Sequence, residues 1–173
     1  MHTFDTVLEN INKRIYKPNQ LIVASIEEEP QNLEYAACKF ELLNQATIKT
    51  VRFRVAKKTP TKVGQFVTFW EKDSKGINQP FEYDESPELL VVTTFYDKIR
   101  FGQFVFPKRI LLDKDILKSS TTKGKMGIRV YPNWDEPLSK TAKNTQSWQL
   151  DYFFEIDEED DVSTREILRL YKL

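Results

Sequence analysis

The stretch Tyr35-Ala36-Ala37-Cys38-Lys39-Phe40-Glu41-Leu42-Leu43, followed by Asn44-Gln45-Ala46-Thr47 and then Ile48-Lys49-Thr50-Val51-Arg52-Phe53-Arg54-Val55-Ala56-Lys57, decides the fold class. It reads as a β-hairpin turning at Asn44–Thr47, with strands over 35–43 and 48–57. Pairing Leu43 with Ile48 places Phe40 opposite Val51, Cys38 opposite Phe53 and Ala36 opposite Val55. These apolar pairs are expected on one face, as a half-buried sheet requires. Ala37, Lys39 and Glu41 then share the other face with Thr50, Arg52 and Arg54, a polar face that suits either solvent or a functional surface.

Around this hairpin the periodicity predicts further strands and three helices. Gly64–Trp70, Leu89–Phe95, Phe101–Phe106 and Gly127–Tyr131 read as strands, and the nearly continuous apolar run Leu89–Phe95 suits a central one. Pro60, Pro80, Pro87, Pro107, Pro132 and Pro137 fall between the runs, where a missing N–H costs least. Residues 3–16 carry Phe4, Val7, Leu8, Ile11 and Ile15 at helical spacing, with Thr3 as cap and Pro18 as stop. Residues 139–156 read as a second helix capped by Ser139, and Ser163 with Glu166 has the capping-box spacing of a third. The run Asp151–Asp161 holds seven carboxylates and reads as a solvated helix end and loop.

The 173 residues are 40% apolar and 30% charged, the balance of a folded domain rather than a disordered chain. Cys38 is the only cysteine and His2 the only histidine. An internal disulfide, a cysteine zinc site and a histidine-based triad therefore lack material. There is no 18-residue apolar run, no basic secretory leader and no GxGxxG or GxxxxGK[ST] loop. A cytoplasmic protein without a membrane span is expected.

The 26 basic and 26 acidic residues cancel, but they are not mixed evenly. Between Leu42 and Trp70 there is no acid, against six bases. Between Lys98 and Arg129 there are nine bases against Asp113 and Asp115. Acids gather at 27–41, 82–88 and 151–161. Such segregation predicts a positive side suited to a polyanion, and Trp70, Trp134 and Trp148 are candidate stacking surfaces.

Four runs resemble the MepB family: Phe53-Arg54-Val55-Ala56-Lys57 with Thr59-Pro60-Thr61-Lys62-Val63-Gly64-Gln65-Phe66-Val67; Phe101-Gly102-Gln103-Phe104-Val105-Phe106-Pro107-Lys108; Gly127-Ile128-Arg129-Val130-Tyr131-Pro132-Asn133-Trp134-Asp135; and Lys143-Asn144-Thr145-Gln146-Ser147-Trp148-Gln149. The resemblance implies a single MepB-like α/β domain over residues 1–173, of mixed α+β type. It would have a central mixed sheet with an N-terminal hairpin region and flanking helices, related to the restriction-endonuclease-like group. That group's nucleases use carboxylates holding Mg²⁺ and a lysine beside the attacking water. The sequence offers only fragments of such a site, in Glu41, Glu88, Lys57 and Lys108. The polar residues of the family-like runs and of the basic loop between them are mostly phosphate and amide donors. Arg54, Lys57, Lys62, Lys108, Lys123, Lys125, Arg129, Lys143 and Gln146 are the candidates for holding an anion.

The function expected first is a nucleic-acid (DNA) binding module whose nuclease-like centre is degenerate or absent, with DNA or RNA as partner and no required cofactor. A Mg²⁺-dependent nuclease is the alternative. A third reading is a non-enzymatic protein that binds a partner protein, through Phe66–Trp70 and Trp148–Phe154, or a small anionic ligand.

Overall fold

The computed structural model describes residues 4–157 and 164–173. Its strands are β1 (Ile22–Glu28), β2 (Cys38–Leu43), β3 (Ile48–Val55), β4 (Lys57–Thr59), β5 (Lys62–Thr68), β6 (Glu71–Lys72), β7 (Asn78–Gln79), β8 (Leu89–Phe95), β9 (Phe101–Pro107), β10 (Gly127–Val130) and β11 (Phe153–Ile156). The α-helices are α1 (Phe4–Ile11), α2 (Lys108–Asp113), α3 (Lys140–Leu150) and α4 (Thr164–Tyr171). A six-stranded mixed sheet runs β1-β2-β3-β8-β9-β11, and a three-stranded sheet runs β10-β5-β4. In the large sheet β3 and β8 are parallel and every other neighbouring pair is antiparallel.

The hairpin has the expected register, with Cys38 opposite Phe53, Phe40 opposite Val51 and Leu43 opposite Ile48. The two-residue alternation of a strand sets the turn-end pair apart. Leu43 and Ile48 lie on the opposite face from Phe40 and Val51. Leu42 is the fully buried residue, while Ile48 is 56% exposed. The strands are also shorter than expected, the first starting at Cys38 and the second stopping at Val55, leaving Ala36 and Ala56 as connections.

Both faces of the large sheet are covered. On one, Cys38, Phe40, Leu42, Val51, Phe53, Leu89, Val91 and Val105 meet α1, the turn after it, and Ile167 and Leu170 of α4. On the other, Leu90, Val92, Phe104 and Phe106 meet Val67, Ile128 and Val130 of the small sheet and Leu111 of α2. Double coverage explains why β8 is apolar at consecutive positions, where a one-sided strand would alternate. It also places Val67 and Phe69 in the core, so Phe66–Trp70 is not an exposed apolar patch.

Two expectations change, and one strand was not foreseen. The helix over 3–16 keeps α geometry to Ile11 and then widens into a π-turn over Asn12–Tyr16 and a short 3₁₀ turn over Lys17–Asn19. The wider turn brings adjacent Ile15 and Tyr16 both inward, and each is fully buried. The Tyr16 hydroxyl then meets that of Tyr171, which donates to Gln103 at 2.7 Å, so a buried chain of hydroxyls ties the two ends of the protein to β9.

The helix over 139–156 stops at Leu150, and Phe153–Ile156 leaves to pair with β9, burying Phe154 and Ile156 on alternate positions. Strand β1 had no periodic signal. Ser25 adopts φ 54°, and the pairing slips between Ala24 opposite Glu41 and Glu27 opposite Lys39. That bulge erases the alternation a strand would print in the sequence. Ser163 and residues 158–161 of the acidic run lie outside the described residues.

Candidate nucleic-acid interface

The small sheet has a dry face and a wet face. Gln65, Val67, Ile128 and Val130 point inward, and Lys57, Phe66 and Arg129 stand in one row across β4, β5 and β10 on the outer face. Two glycines make this outer face a platform. A Cβ on Gly64, whose φ is +84°, would lie 2.7 Å from the Tyr131 ring, and one on Gly127 would lie 2.6 Å from the Phe66 ring. Each ring therefore rests directly on the backbone of the neighbouring strand, a closeness only glycine permits.

Cations flank the rings. The Arg129 guanidinium sits 5.8 Å from the Phe66 centroid. Its Nη1 donates to Thr59 Oγ1 at 3.1 Å and to the Gly64 carbonyl at 3.0 Å, which fixes it across the sheet. Lys57 lies 4.7 Å from the centre of Tyr35, which meets Phe66 edge-on at 6.4 Å.

At the β10 margin a cleft of about 320 Å³ opens toward α3. Lys114, Lys125 and Arg129 line it together with Tyr131, Trp148 and Gln149, and no described residue of the lining is acidic. Lys114 lies 5.4 Å from the Trp148 ring. Gln149 is buried and joins the walls. Its Oε1 accepts from the Tyr131 N–H at 2.9 Å, and its Nε2 donates to the Arg129 carbonyl at 3.0 Å. Lys123 on the loop and Lys143 on α3 are exposed and do not line this cleft. Lys62 lines a neighbouring cleft of about 440 Å³ with Lys58, Gly64, Trp134 and Asp135.

Other expected anion-binding residues are placed differently. Arg54 is fully buried, so it is no surface donor. Its Nη1 donates to Glu29 at 2.6 Å, and Arg52 Nε donates to the same carboxylate at 3.1 Å. The Arg52 guanidinium lies 3.5 Å from the centre of Phe81. The arginine face of the hairpin is thus an interior ion cluster, in which Arg54 Nη2 has no partner. Burial lowers the pKa of both guanidinium groups, and Glu29 opposes that shift. Gln146 spends its Nε2 on the Pro132 and Asp135 carbonyls, holding the 132–135 turn on α3. Lys108 directs its ammonium to the carbonyls of Tyr83 and Ser86.

The nuclease candidates do not converge. Glu41 accepts from Ser25 Oγ at 2.7 Å. Glu88 accepts from Lys49 and from the Thr50 N–H, each at 3.2 Å. Lys57 pairs with Glu34 at 3.1 Å. Glu41 on β2 and Glu88 just before β8 do flank Thr50, and the Lys108 N–H donates to the Glu88 carbonyl, yet neither lysine ammonium reaches a candidate carboxylate. Among the described residues no three His, Cys, Asp or Glu side chains gather into a metal-holding group. Cys38 is buried and its thiol is pushed up to about 12, mainly by that burial, which leaves it unreactive.

The sequence reading missed Glu29, Phe66, Tyr131 and Lys114 as members of these sites. Gly64 and Gly127 were the available signals, because glycine within a strand marks close approach. No helix of the described residues is long and apolar enough to cross a membrane.

A family model described as MepB-like matches residues 29–155. A solved structure described as the crystal structure of MepB is similar at 37% identity, covering 90% of this chain and 97% of that one, with a TM-score of 0.72. No curated protein matches. The shared span starts at Glu29, partner of both buried arginines, and runs through the small sheet and α3 to β11. With more than half its length matched by the family model and that likeness to the solved structure, the chain belongs to the MepB-like family.

Proposed function

We propose that this protein binds nucleic acid through the outer face of the small sheet and the adjoining cleft, with unpaired bases on the rings of Phe66 and Tyr131 and phosphates at Lys114, Lys125 and Arg129. The observation that carries this reading is the pairing of glycine-seated rings with a cleft lined by three cations and no carboxylate among the described residues. Rings accept any base by stacking, and ammonium and guanidinium groups release condensed counterions from phosphates. On this reading the mixed sheet derives from a restriction-endonuclease-like fold whose catalytic groups have dispersed. The chain then acts in the cytoplasm as one binding domain that does not cut.

The test is anisotropy of a labelled single-stranded oligonucleotide from low to moderate salt. Affinity is expected to fall linearly on logarithmic axes, and Lys125→Gln to make the slope shallower by about 0.7. Phe66→Ala is expected to weaken binding by about 1–3 kcal/mol, more for single strands than for duplex. Salt-independent binding, or equal loss on both substrates, overturns the reading. Nicking of a plasmid with Mg²⁺ or Mn²⁺, abolished in Glu41→Ala or Glu88→Ala, overturns the non-cutting part.

A further inference from the structure

Apart from the platform, a cleft of about 710 Å³ lies where the chain leaves the large sheet for the small one. The handover is at Ala56, whose N–H donates to the Thr93 carbonyl at 2.9 Å between β3 and β4. The cleft therefore sits beyond the carboxyl ends of β3 and β8, the parallel pair of the sheet, where β3 and its continuation part company. Crevices at such switch points are the usual ligand sites of open α/β sheets, because neighbouring strands lead away in different directions. The volume is that of a small-molecule pocket.

Its chemistry is two-part. Val7 of α1, Leu33, Ala36, Val55 and Phe95 give an apolar floor, and Leu33 is 52% exposed. Lys57, Lys58 and Lys98 stand at the rim with Glu34 and Asp97. The two acids are already engaged. Glu34 pairs with Lys57 at 3.1 Å. Asp97 Oδ1 accepts from the N–H groups of Ile99 and Arg100 at 2.7 and 2.8 Å, closing its own turn. Lys58 donates to the Tyr96 carbonyl at 2.7 Å and acts electrostatically on Asp97, and Lys98 stands in no described ion pair. An apolar trough with three ammonium groups against two carboxylates at its mouth matches a ligand with a hydrocarbon body and one anionic head.

We infer that this cleft binds a medium-chain organic carboxylate, its chain along Leu33, Val55 and Phe95 and its head between Lys58 and Lys98. This does not depend on the nucleic-acid reading, since Phe66, Tyr131 and the 320 Å³ cleft take no part in it.

The experiment is a titration of the whole isotope-labelled chain with decanoate below its micelle concentration, followed by amide NMR. Butyrate supplies the head without the body, and 1-decanol the body without the charge. Saturable shifts confined to residues 33–36, 55–58 and 95–98 are expected for decanoate, with 1-decanol weaker and butyrate inert. The double variant Lys58→Gln, Lys98→Gln is expected to bind decanoate about tenfold more weakly with its affinity for 1-decanol unchanged. Leu33→Asp, at an exposed position that folding tolerates, is expected to abolish binding of both. Absence of saturation, shifts centred on another surface, or equal affinity for decanoate in the lysine double variant overturns the inference.

Discussion

Two strand faces in this protein carry the same kind of sequence and have opposite fates. On β3, Arg52 and Arg54 alternate with Val51 and Phe53, and on β10, Arg129 alternates with Ile128 and Val130. The β3 arginines are sealed inside, at 6% and 0% exposure, around Glu29. Arg129 stays on the outside, braced by Thr59 and the Gly64 carbonyl beside an aromatic ring. Alternation fixes which residues share a face. What covers that face is decided elsewhere in the chain, here by the small sheet and by a single carboxylate supplied from the 27–29 run. A buried guanidinium must find a carboxylate, whereas a surface one only needs a brace.

The comparison breaks most easily at Glu29. Glu29→Ala leaves two buried guanidinium groups without their hydrogen-bonded carboxylate and is expected to destabilise the fold by about 3–5 kcal/mol, read from urea unfolding. Glu34→Ala, which removes the exposed partner of Lys57, is expected to change stability by less than about 1 kcal/mol in the same measurement. Equal effects would mean that the interior cluster is not held as described.

A smaller effect is expected at Gly64. Gly64→Ala meets both the left-handed backbone and the Tyr131 ring, and is expected to cost about 1–3 kcal/mol. It also unseats Tyr131, so nucleic-acid affinity should fall in the folded fraction, while Gly76→Ala, which is left-handed but has open space, loses stability alone. Retained affinity in Gly64→Ala would separate the platform from binding.

The smallest effect belongs to Asp135, a half-buried carboxylate whose Oδ2 has no partner. Burial raises its pKa, and Lys58 opposes the shift. The folded state therefore holds this proton more firmly than the unfolded chain. Its contribution to stability is present at low pH and is lost as pH rises from the ordinary aspartate value through the raised one. Asp135→Asn is expected to remove that decline and to melt slightly higher at neutral pH, as thermal melts across the mildly acidic range would reveal. An unchanged pH profile would place the carboxylate in water.

How much of this was legible follows from where each signal lives. The hairpin register was readable because the Asn44–Thr47 turn and the alternation on both arms agree, and the Asn44 N–H does donate to Thr47. Strand β8 was readable from its unbroken apolar run. The end of α3 was not, because Trp148, Tyr152 and Phe153 continue the helical spacing past the point where β9 captures the chain. The fate of Arg54 was hidden because its partner lies 25 positions away in a run that reads as solvated acid. The platform was half legible. Gly64 and Gly127 announce close approach, but which ring approaches is a tertiary fact.

The kink at Ser25 has a consequence for the company this protein keeps. An outermost strand with an unbroken ladder is an open invitation for a foreign chain to zip alongside. Here the invitation is withdrawn midway, since the left-handed residue turns the ladder out of line, and Glu27 and Glu28 add negative charge just past the break. The same irregularity that hid β1 from a periodicity reading thus acts as a stop, guarding the margin of the sheet against runaway stacking.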